Sequence, residues 1–193
     1  MGLGLAAPMP PTSPPPWTVE SEQELLDLRI LQLRRVRARS RLRPDHASDF
    51  VVFDAPDWVN VIALTPDERV VLVEQYRHGT RAVTVEIPGG MVDPGEDFIE
   101  AAVRELAEET GFVGASAVQI GVVDPNPAIQ SNRCGTVLVT GAQQTQAPDL
   151  DPNEEIAVRT VPLSEMGTLL SDGTITHSLV VAAFHHLHLW RGR

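Results

Sequence analysis

The chain has 193 residues, which is enough for one domain of ordinary size with a substantial core. Hydrophobic residues make up 42% of it and charged residues 21%, a balance typical of soluble globular proteins. The formal net charge of -11 argues against a nucleic-acid backbone as the main partner. No apolar run approaches the roughly 18 residues that a membrane helix needs. The arginine-rich stretch 34–43 is a local exception to the acidity, and it fits a solvated strand or subunit contact better than a nucleic-acid patch.

The N-terminal part of the chain differs in composition from the rest. Residues 1–16 are rich in proline and lack charged side chains, so we expect a disordered or extended tail there. The apolar start has no basic leader of the signal-peptide kind, and the single Cys134 cannot form an internal disulfide, so a cytoplasmic location is expected. We expect a β region over residues 17–56 and the main domain over residues 57–193.

Alternating or β-branched runs predict strands along most of the chain. In chain order these runs cover residues 35–39, 50–53, 59–64, 70–76, 83–87, 118–123, 135–140 and 156–161. The sequence Thr65-Pro66-Asp67-Glu68 is typical of a hairpin turn between two of them. The polar, proline-containing residues 141–154 predict a long loop.

Three segments have helical patterns. The first runs from about Asp97 to Thr110 and has Gly111 as its natural C-terminal stop. Residues 163–170 predict a short helix, and residues 175–190 predict a C-terminal helix. Strands and helices in this order indicate an α+β fold with a mixed sheet and helices against its faces.

The first helix is predicted to have one acidic and one apolar face, at about 100° per residue. The acidic arc carries Glu105, Glu108 and Glu109, with Ala101 and Ala102 within or beside it. The opposite arc, which we expect to face the core, carries Ile99, Val103 and Leu106. Hard cations such as Mg²⁺ or Mn²⁺ prefer oxygen ligands of this kind, and two or more ions about 4 Å apart can clamp a diphosphate and activate water. A solvated helix with arginine–glutamate pairs is the alternative that charge runs usually indicate.

Fixed residues over positions 90–112 favour the metal site over the solvated helix. The segment matches the Nudix box at every defining position: Gly90, Glu96, Arg104, Glu105, Glu108, Glu109 and Gly111, with apolar Leu106 and Phe112. The chain therefore resembles a Nudix hydrolase, an enzyme that splits a diphosphate linked to another group. This resemblance implies an α/β/α sandwich around a mixed β-sheet over residues 57–193.

The resemblance also implies roles for the residues of the box. The implied ligands of two or more Mg²⁺ or Mn²⁺ ions are the carboxylates of Glu105, Glu108 and Glu109 and the backbone carbonyl of Gly89. Arg104 would orient the glutamates without binding metal, and Glu96 would brace the loop before the helix. Gly90 and Gly111 would permit backbone geometry that a Cβ would obstruct.

Residues that flank the box resemble the branch that hydrolyses ADP-ribose and other nucleoside diphosphate sugars. The likeness rests on Gln75-Tyr76-Arg77, on Glu86-Ile87-Pro88-Gly89-Gly90 and on Pro127 beyond the box. It implies attack of water on one phosphorus, with a nucleoside monophosphate and a sugar phosphate as products. Members of this branch are usually homodimers, which makes residues 17–56 a possible dimerisation element.

Five residues outside the box are candidates for substrate binding, and most have a structural alternative. Arg77 would contact a phosphate, or it would pair with a glutamate at a strand end. Glu86 would reach substrate or metal-bound water, or it would be structural. Trp58 would stack on a base, or it would belong to the core or an interface. Pro127 lies where the branch has its proline, and Arg133 is a weaker phosphate candidate.

The general base is not fixed by the box. In the sugar branch a glutamate on a mobile loop before a late strand can complete the site, which makes Glu154 the first choice and Glu155 the second. A plain acidic loop and a box glutamate acting as base are the alternatives. His185 and His188 could share a helix face, but a packed or solvated helix is favoured over a zinc site because no cysteine or acid lies nearby in sequence.

Two rival functions stay open at this stage. A Nudix module that senses a nucleotide sugar without hydrolysing it would typically lack box glutamates, whereas this chain has all of them. A hydrolase of coenzyme A or of dinucleoside polyphosphates would share the box, and only the context of Arg77 and Pro127 argues against it.

Overall fold

The computed structural model describes residues 13–28 and 30–193 and divides the chain into two compact units, with the boundary after Asp54. Most of the expected tail, residues 1–12, lies outside the described residues. Residues 13–17 precede the first strand and have no regular structure.

The first unit contains a three-stranded antiparallel sheet. Its strands are β1 (Thr18–Leu28), β2 (Leu31–Arg39) and β3 (Ala47–Asp54), in that order across the sheet. The arginines of β2 pair with acids on both neighbouring strands: Arg34 with Glu22 and Asp54, and Arg37 with Asp49. The arginine-rich stretch therefore serves cross-strand ion pairs, and each exposed pair adds little to stability.

The second unit is built around a six-stranded mixed sheet with the path β11-β5-β4-β9-β8, in which β6 pairs with β5. Its strands are β4 (Trp58–Leu64), β5 (Arg69–Arg77), β6 (Ala82–Glu86), β8 (Ser116–Val123), β9 (Cys134–Thr140) and β11 (Ile156–Pro162). The pair β4–β9 is parallel and the other pairs of this sheet are antiparallel. Two short strands, β7 (Phe112–Val113) and β10 (Gln143–Gln144), pair separately, and β10 interrupts the long loop predicted over residues 141–154.

Three helices accompany this sheet: α1 (Phe98–Thr110), α2 (Met166–Ser171), which follows a 3₁₀ turn at Leu163–Glu165, and α3 (Ser178–Arg191). Alternate residues of β4 separate two hydrophobic clusters, because successive side chains of a strand point to opposite faces. Val59 and Val61 pack with α1, whereas Ile62 and Leu64 pack with α3. The α+β prediction with helices on both faces of a mixed sheet is confirmed. In the described part of the chain, each helix is too short or too polar to cross a membrane.

Helix α1 faces the sheet differently from the predicted wheel. Ala101, Ala102 and Leu106 are buried, whereas Val103 is 43% exposed. The prediction that Val103 faces the core was wrong. The two alanines, which were placed beside the acidic arc, belong to the buried face with Leu106, and their small side chains are what the sheet accommodates.

The segment before α1 is inserted beside β4 and carries the start of the box. β4 and β5 are bridged only at Leu64 and Val70. Farther along, the Val61 N–H donates to the Pro88 carbonyl at 2.8 Å and the Val59 N–H donates to the Gly90 carbonyl at 2.9 Å. A Cβ on Gly89 would lie 2.1 Å from the Val59 carbonyl oxygen, so only glycine permits this approach.

The start of α1 has a complete capping box, which fixes where the helix begins. The Asp97 carboxylate accepts from the N–H groups of Ile99 and Glu100 at 2.8 and 2.9 Å, and the Glu100 carboxylate accepts from the Asp97 N–H at 2.9 Å. Because these bonds satisfy N–H groups that lack partners inside the helix, the entry to the acidic helix is held in one conformation.

We expect Asp97→Ala to lower the free energy of unfolding by about 1 kcal/mol, because it leaves helix N–H groups without their acceptor. Urea unfolding followed by circular dichroism measures the change. Asp97→Asn is the matched control, since its amide oxygen still accepts these bonds. Equal stability of Asp97→Ala and the unaltered protein would contradict the stabilising role of the cap.

Candidate active site

A cleft of about 510 Å³ lies beside α1, within the size range of small-molecule sites. Its lining consists of Gln75, Arg77, Gly89, Gly90, Met91, Asp93, Arg104, Glu105, Glu108, Glu109, Asp149, Leu150, Asp151 and Glu154. Seven of these residues are acidic and two are arginines. We call this site the acidic cleft. A diphosphate would be repelled by such a lining unless cations entered with it.

Arg104 connects the acidic helix to the loop before it through all five of its N–H groups. Its Nε and Nη2 bind the two carboxylate oxygens of Glu96, each at 2.9 Å, and Nη2 also donates to the Met91 carbonyl at 2.9 Å. Its Nη1 donates to Glu105 at 2.9 Å and to Glu108 at 3.0 Å. Arg104 therefore has no free donor for a substrate, and its position suits a residue that orients carboxylates.

Glu96 connects the loop to the helix from the other side. Its Oε2 accepts from the Asp93 N–H at 3.1 Å, while its own N–H donates to the Asp93 carbonyl at 3.0 Å. The hydrogen bonds from Arg104 are the largest cause that lowers the pKa of Glu96, so this carboxyl stays ionised. These contacts connect the loop to the helix, and the bracing role of Glu96 stays a prediction.

Gly90 allows the loop to lie directly on the helix. A Cβ at this position would be 2.4 Å from Glu105 Oε1, closer than any real contact. The Glu105 carboxylate is thereby enclosed between the loop and the Arg104 guanidinium. Burial is the largest cause that raises the pKa of Glu105, and it outweighs the ion pair with Arg104.

Glu109 is the most deeply buried acid of the cleft, with 3% of its surface exposed. Its Oε2 accepts from the Gly89 N–H at 3.0 Å. Burial raises the pKa of Glu109 to about 8, and the nearby carboxylates of Glu105 and Glu154 act in the same direction. A buried carboxylate among other carboxylates is stable as an anion only with a positive partner, which a bound cation would provide.

The residues present fit a hard divalent cation in their chemistry, because Glu105, Glu108 and Glu109 offer only oxygen donors. They are not gathered around one point. Within residues 13–28 and 30–193, no group of three or more His, Cys, Asp or Glu side chains is close enough together to hold a metal ion. The contacts of Arg104 explain this spacing, since its Nη1 lies between the carboxylates of Glu105 and Glu108.

Arg77 lines the acidic cleft and is anchored to Glu86 beneath it. Its Nε and Nη2 donate to the two oxygens of Glu86 at 2.9 and 2.7 Å. Glu86 has a side chain only 4% exposed, and it also accepts from the Thr84 hydroxyl at 2.6 Å and lies 3.3 Å from Nδ1 of His177. These partners lower the pKa of Glu86 well below its usual range despite burial, which is the largest single effect and acts in the opposite direction. The ion pair does not take Arg77 away from the cleft, because its side chain is 44% exposed and lines the cleft.

The two glutamates proposed as general base have different surroundings. Glu154 is half-buried and lines the acidic cleft, and its Oε2 accepts from the Asp151 N–H at 3.1 Å. Glu155 is exposed and faces a shallow groove lined by Tyr76 and Val83 instead. The two neighbouring glutamates just before β11 therefore face different sites.

Four polar residues of the cleft were not identified as site residues from the sequence: Gln75, Asp93, Asp149 and Asp151. Gln75 lies two residues before Arg77 on β5 and therefore on the same face of the strand, so the two-residue period could have found it. Asp149 and Asp151 line the cleft from the segment before β11. The only feature of the sequence that could have indicated them is that acids occupy the alternate positions 149 and 151.

The remaining substrate candidates do not line the acidic cleft. Trp58 begins β4, is half-buried and forms an isolated bridge with Met91. Pro127 is exposed in the turn between β8 and β9. Arg133 binds Asp57 at 2.8 Å and lies over the Phe98 ring, in a separate small pocket with Glu96 and Gln119. These residues stay predictions that a bound substrate would have to test.

The thiol of Cys134 and the imidazoles of His185 and His188 are chemically reactive groups with surroundings that indicate no role in catalysis. Cys134 is buried at the start of β9, and burial raises the pKa of its thiol to about 12, which makes it a poor nucleophile. His185 and His188 are exposed on α3.

Comparison with known proteins places these observations in a family. The NUDIX domain matches residues 55–184. The methanol dehydrogenase activator of Bacillus methanolicus is 31% identical over 135 residues, which span 69% of this chain and 73% of that protein. The ADP-ribose pyrophosphatase of Bacillus subtilis is 26% identical over 144 residues, 74% of this chain and 78% of that protein. The ADP compounds hydrolase of Escherichia coli is 29% identical over 126 residues, 64% and 66% of the two chains.

The fold has a close counterpart among solved structures. The crystal structure of an ADP compounds hydrolase superposes with a TM-score of 0.82, covering 93% of this chain and 96% of that chain. The sequence identity is 22%, so this likeness shows the fold.

We expect Arg77→Ala to destabilise the protein by about 3 kcal/mol near neutral pH, because Glu86 would stay buried without its main cationic partner. In the unaltered protein the pKa of Glu86 is lowered, so its contribution to stability is lost as pH falls; in the variant burial would raise that pKa, so stability would be gained as pH falls. The difference between the two proteins should therefore shrink at acidic pH. Urea unfolding of both proteins at neutral and at acidic pH measures this difference in stability.

The double variant Arg77→Ala/Glu86→Gln is the control for this prediction. The glutamine introduced at position 86 would carry no charge, so the pH dependence of the difference should disappear. A destabilisation by Arg77→Ala that is equal at both pH values would mean that the charge of Glu86 is not its cause.

Proposed function

Because the chain belongs to the NUDIX domain family, we propose that it is a divalent-metal-dependent hydrolase of nucleoside diphosphate sugars, of the ADP-ribose, ADP-sugar or GDP-sugar type. The observation that carries the proposal is the acidic cleft beside α1, in which the buried Glu109 lies among other carboxylates and has no ion pair with any described residue. The relatives from Bacillus subtilis and Escherichia coli, whose names specify ADP-ribose and ADP compounds, support the substrate class.

The proposed reaction is hydrolysis of the diphosphate bridge. Water would supply its oxygen to one phosphorus, and the bridging oxygen would leave with the other phosphate. The products would be a nucleoside monophosphate and a sugar phosphate, and the proton lost by water would go to a base in the cleft. No oxidant or reductant is needed, since the reaction only exchanges one P–O bond for another.

The metal would be Mg²⁺ or Mn²⁺, two or more ions per site, bound by Glu105, Glu108, Glu109 and the Gly89 carbonyl. Bound in this way, the ions would neutralise the diphosphate and lower the pKa of the attacking water. The chain contributes the arrangement of the ligands. Arg104 holds the carboxylates of Glu105 and Glu108, and the Gly89 N–H holds that of Glu109 on the same acidic face.

The positively charged residues suited to the substrate are few. Arg77 presents a part-exposed guanidinium to the cleft while Glu86 keeps its orientation fixed. We propose that this fixed guanidinium binds a phosphate oxygen, since a pre-oriented arginine loses little side-chain entropy on binding. Gln75, on the same strand face, would add a neutral hydrogen-bond donor.

We also propose that the protein forms a homodimer through residues 17–56. In the three-stranded sheet several large apolar residues are exposed: Val19, Leu25, Leu26, Leu28, Phe50 and Val51. Such a concentration on one small sheet is typical of a contact surface. A cytoplasmic location remains part of this proposal, and the buried thiol of Cys134 is compatible with a reducing compartment.

We expect hydrolysis with Mg²⁺ in a panel of ADP-ribose, ADP-glucose, GDP-mannose, UDP-glucose and coenzyme A, fastest on one of the nucleoside diphosphate sugars. The physical reason is that the acidic cleft suits a metal-bound diphosphate in every case, while the flanking residues select what is attached to it. Chromatography of the products, with and without chelator, measures both the substrate and the metal requirement.

Glu109→Gln is the matched control for the panel, because it keeps the shape of the side chain and removes its charge. Turnover that survives in this variant would indicate a contaminating enzyme or a wrong metal assignment. Equal or greater activity on coenzyme A would overturn the substrate class, and binding without turnover on every compound would favour a sensor.

We expect Glu154→Gln to lower kcat by about 10²–10⁴-fold if this residue is the general base, because the amide cannot take a proton from water. The amide oxygen of the introduced glutamine could still accept from the Asp151 N–H, so the loop turn should stay intact. Steady-state kinetics on the best substrate of the panel measures the effect.

Glu155→Gln is the neighbouring control for this experiment, since Glu155 faces the outer groove. It should retain kcat within a few-fold of the unaltered protein. The opposite pattern would make Glu155 the base, and a small effect of both variants would point to a box glutamate.

A further inference from the structure

The C-terminal end of α1 is held by the chain segment that carries the last acids of the cleft. The helix ends at Thr110, and Gly111 follows with φ 72°, a left-handed conformation that terminates helices. Its N–H donates to the Ala107 carbonyl at 2.9 Å. The other carbonyls of the last turn need donors from outside the helix.

Residues 144–149 supply donors to the carbonyls of Glu108 and Thr110 and to that of Gly111. The N–H groups of Thr145 and Gln146 donate to the Gly111 carbonyl at 3.0 and 3.4 Å, and the Gln144 side-chain amide donates to the Thr110 carbonyl at 3.3 Å. The Asp149 N–H donates to the carbonyl of Glu108 at 2.8 Å. The segment is therefore fastened to the helix turn that holds the implied metal ligands.

Gly111 makes this attachment possible by leaving space for the segment. A Cβ at Gly111 would lie 2.0 Å from the Gln146 carbonyl oxygen and 3.0 Å from its carbonyl carbon. Both neighbouring atoms belong to the backbone, so a side chain could not be accommodated by a rotamer change. Any larger residue has to displace the segment or the end of the helix.

The displaced segment would carry cleft residues with it. Asp149, Asp151 and Glu154 follow directly and line the acidic cleft together with Glu108 and Glu109. Backbone bonds connect the parts: Asp149 to Glu108, and Glu154 N–H to the Asp151 carbonyl at 2.9 Å. The distance from Glu154 to the acidic face of α1 is thus set by how residues 144–149 sit on Gly111.

We propose that Gly111 is a positioning residue for catalysis, which holds the loop 145–155 at a fixed distance from the acidic face of α1. This inference rests on the proposed function for its effect on turnover. It gives Gly111 a role beyond ending the helix, since a glycine that only ended the helix would need the left-handed conformation and not the space beside it.

The test compares Gly111→Ala with Gly173→Ala. Gly173 also has a left-handed conformation, with φ 82°, but no atom lies within 4 Å of the position that its Cβ would take. Both substitutions bring the same kind of backbone strain, and only Gly111→Ala brings the collision. We expect Gly111→Ala to lower kcat about 10²-fold, the usual effect of a displacement of about 1 Å, with a much smaller change in KM.

Hydrogen exchange of the amides in residues 143–154 gives a second reading that does not need activity. Exchange there should become at least about ten-fold faster in Gly111→Ala while the Gly173→Ala protein resembles the unaltered one. Thr145→Pro removes the shorter of the two hydrogen bonds to the Gly111 carbonyl, leaves the Gln146 N–H at 3.4 Å, and does not touch the glycine. It should weaken the attachment and have the same two effects, whereas Thr145→Ala keeps both bonds and should have neither. The two Thr145 variants provide the same test if the Gly111→Ala protein does not fold.

The outcomes separate the inference from the proposed function. Equal losses of kcat and of thermal stability in Gly111→Ala and Gly173→Ala would overturn the inference, as would unchanged exchange in residues 143–154. An unaltered protein inactive on the whole panel would overturn the proposed function alone, because the exchange experiment would still test whether Gly111 seats the loop.

Discussion

The bonds of Arg104 are the interaction on which the acidic cleft depends. Three glutamates with like charge would repel each other within a few ångströms, and Arg104 compensates three carboxylates with one guanidinium. Its remaining donor goes to the Met91 carbonyl, which fixes the loop to the helix. Lysine could not replace it, because three donors on a flexible stem cannot reach Glu96 twice and also Glu105, Glu108 and Met91. The hydrogen bonds of Arg104 thus fix both the conformation of the loop before α1 and the arrangement of the acids.

Glu109 lies outside this compensation, and its burial determines what the cleft can bind. Packed near Gly89, it receives one backbone hydrogen bond, and the next influence that favours its charged form is Arg77. Arg77, however, is committed to Glu86 through both of the donors that face it. Both arginines of the cleft are already paired with carboxylates, and one buried acid has no ion pair. Such a cleft has more affinity for a cation than for a bare anion. A diphosphate therefore suits this site as a complex with metal ions, which joins the charge distribution to the reaction class.

Much of this organisation could be predicted from the sequence, because the signals were local. The strands of the mixed sheet follow from alternation, and the limits of α1 follow from Asp97 and Gly111. Val103 was placed wrongly because a helical wheel assumes that the buried face is the one with the largest apolar residues, whereas Ala101 and Ala102 allow α1 to approach the sheet. β1 lacks a clear alternation and is formed by pairing with β2. Asp149 and Asp151 could not be placed, since backbone bonds between distant segments bring them to the cleft.

The two ends of α1 explain why the Nudix box extends beyond the residues implied as metal ligands. The capping box at Asp97 sets where the helix begins, and with it the direction of Glu105, Glu108 and Glu109. At the other end the carbonyls of Glu108 and Gly111 receive donors from residues 145–149, which places the acids of a distant loop opposite the same face. A capping residue before the helix and a glycine after it therefore help to place the residues of the site, although neither is an implied ligand. The geometry of the cleft follows from how this one helix begins and ends as well as from the bonds of Arg104 at its centre.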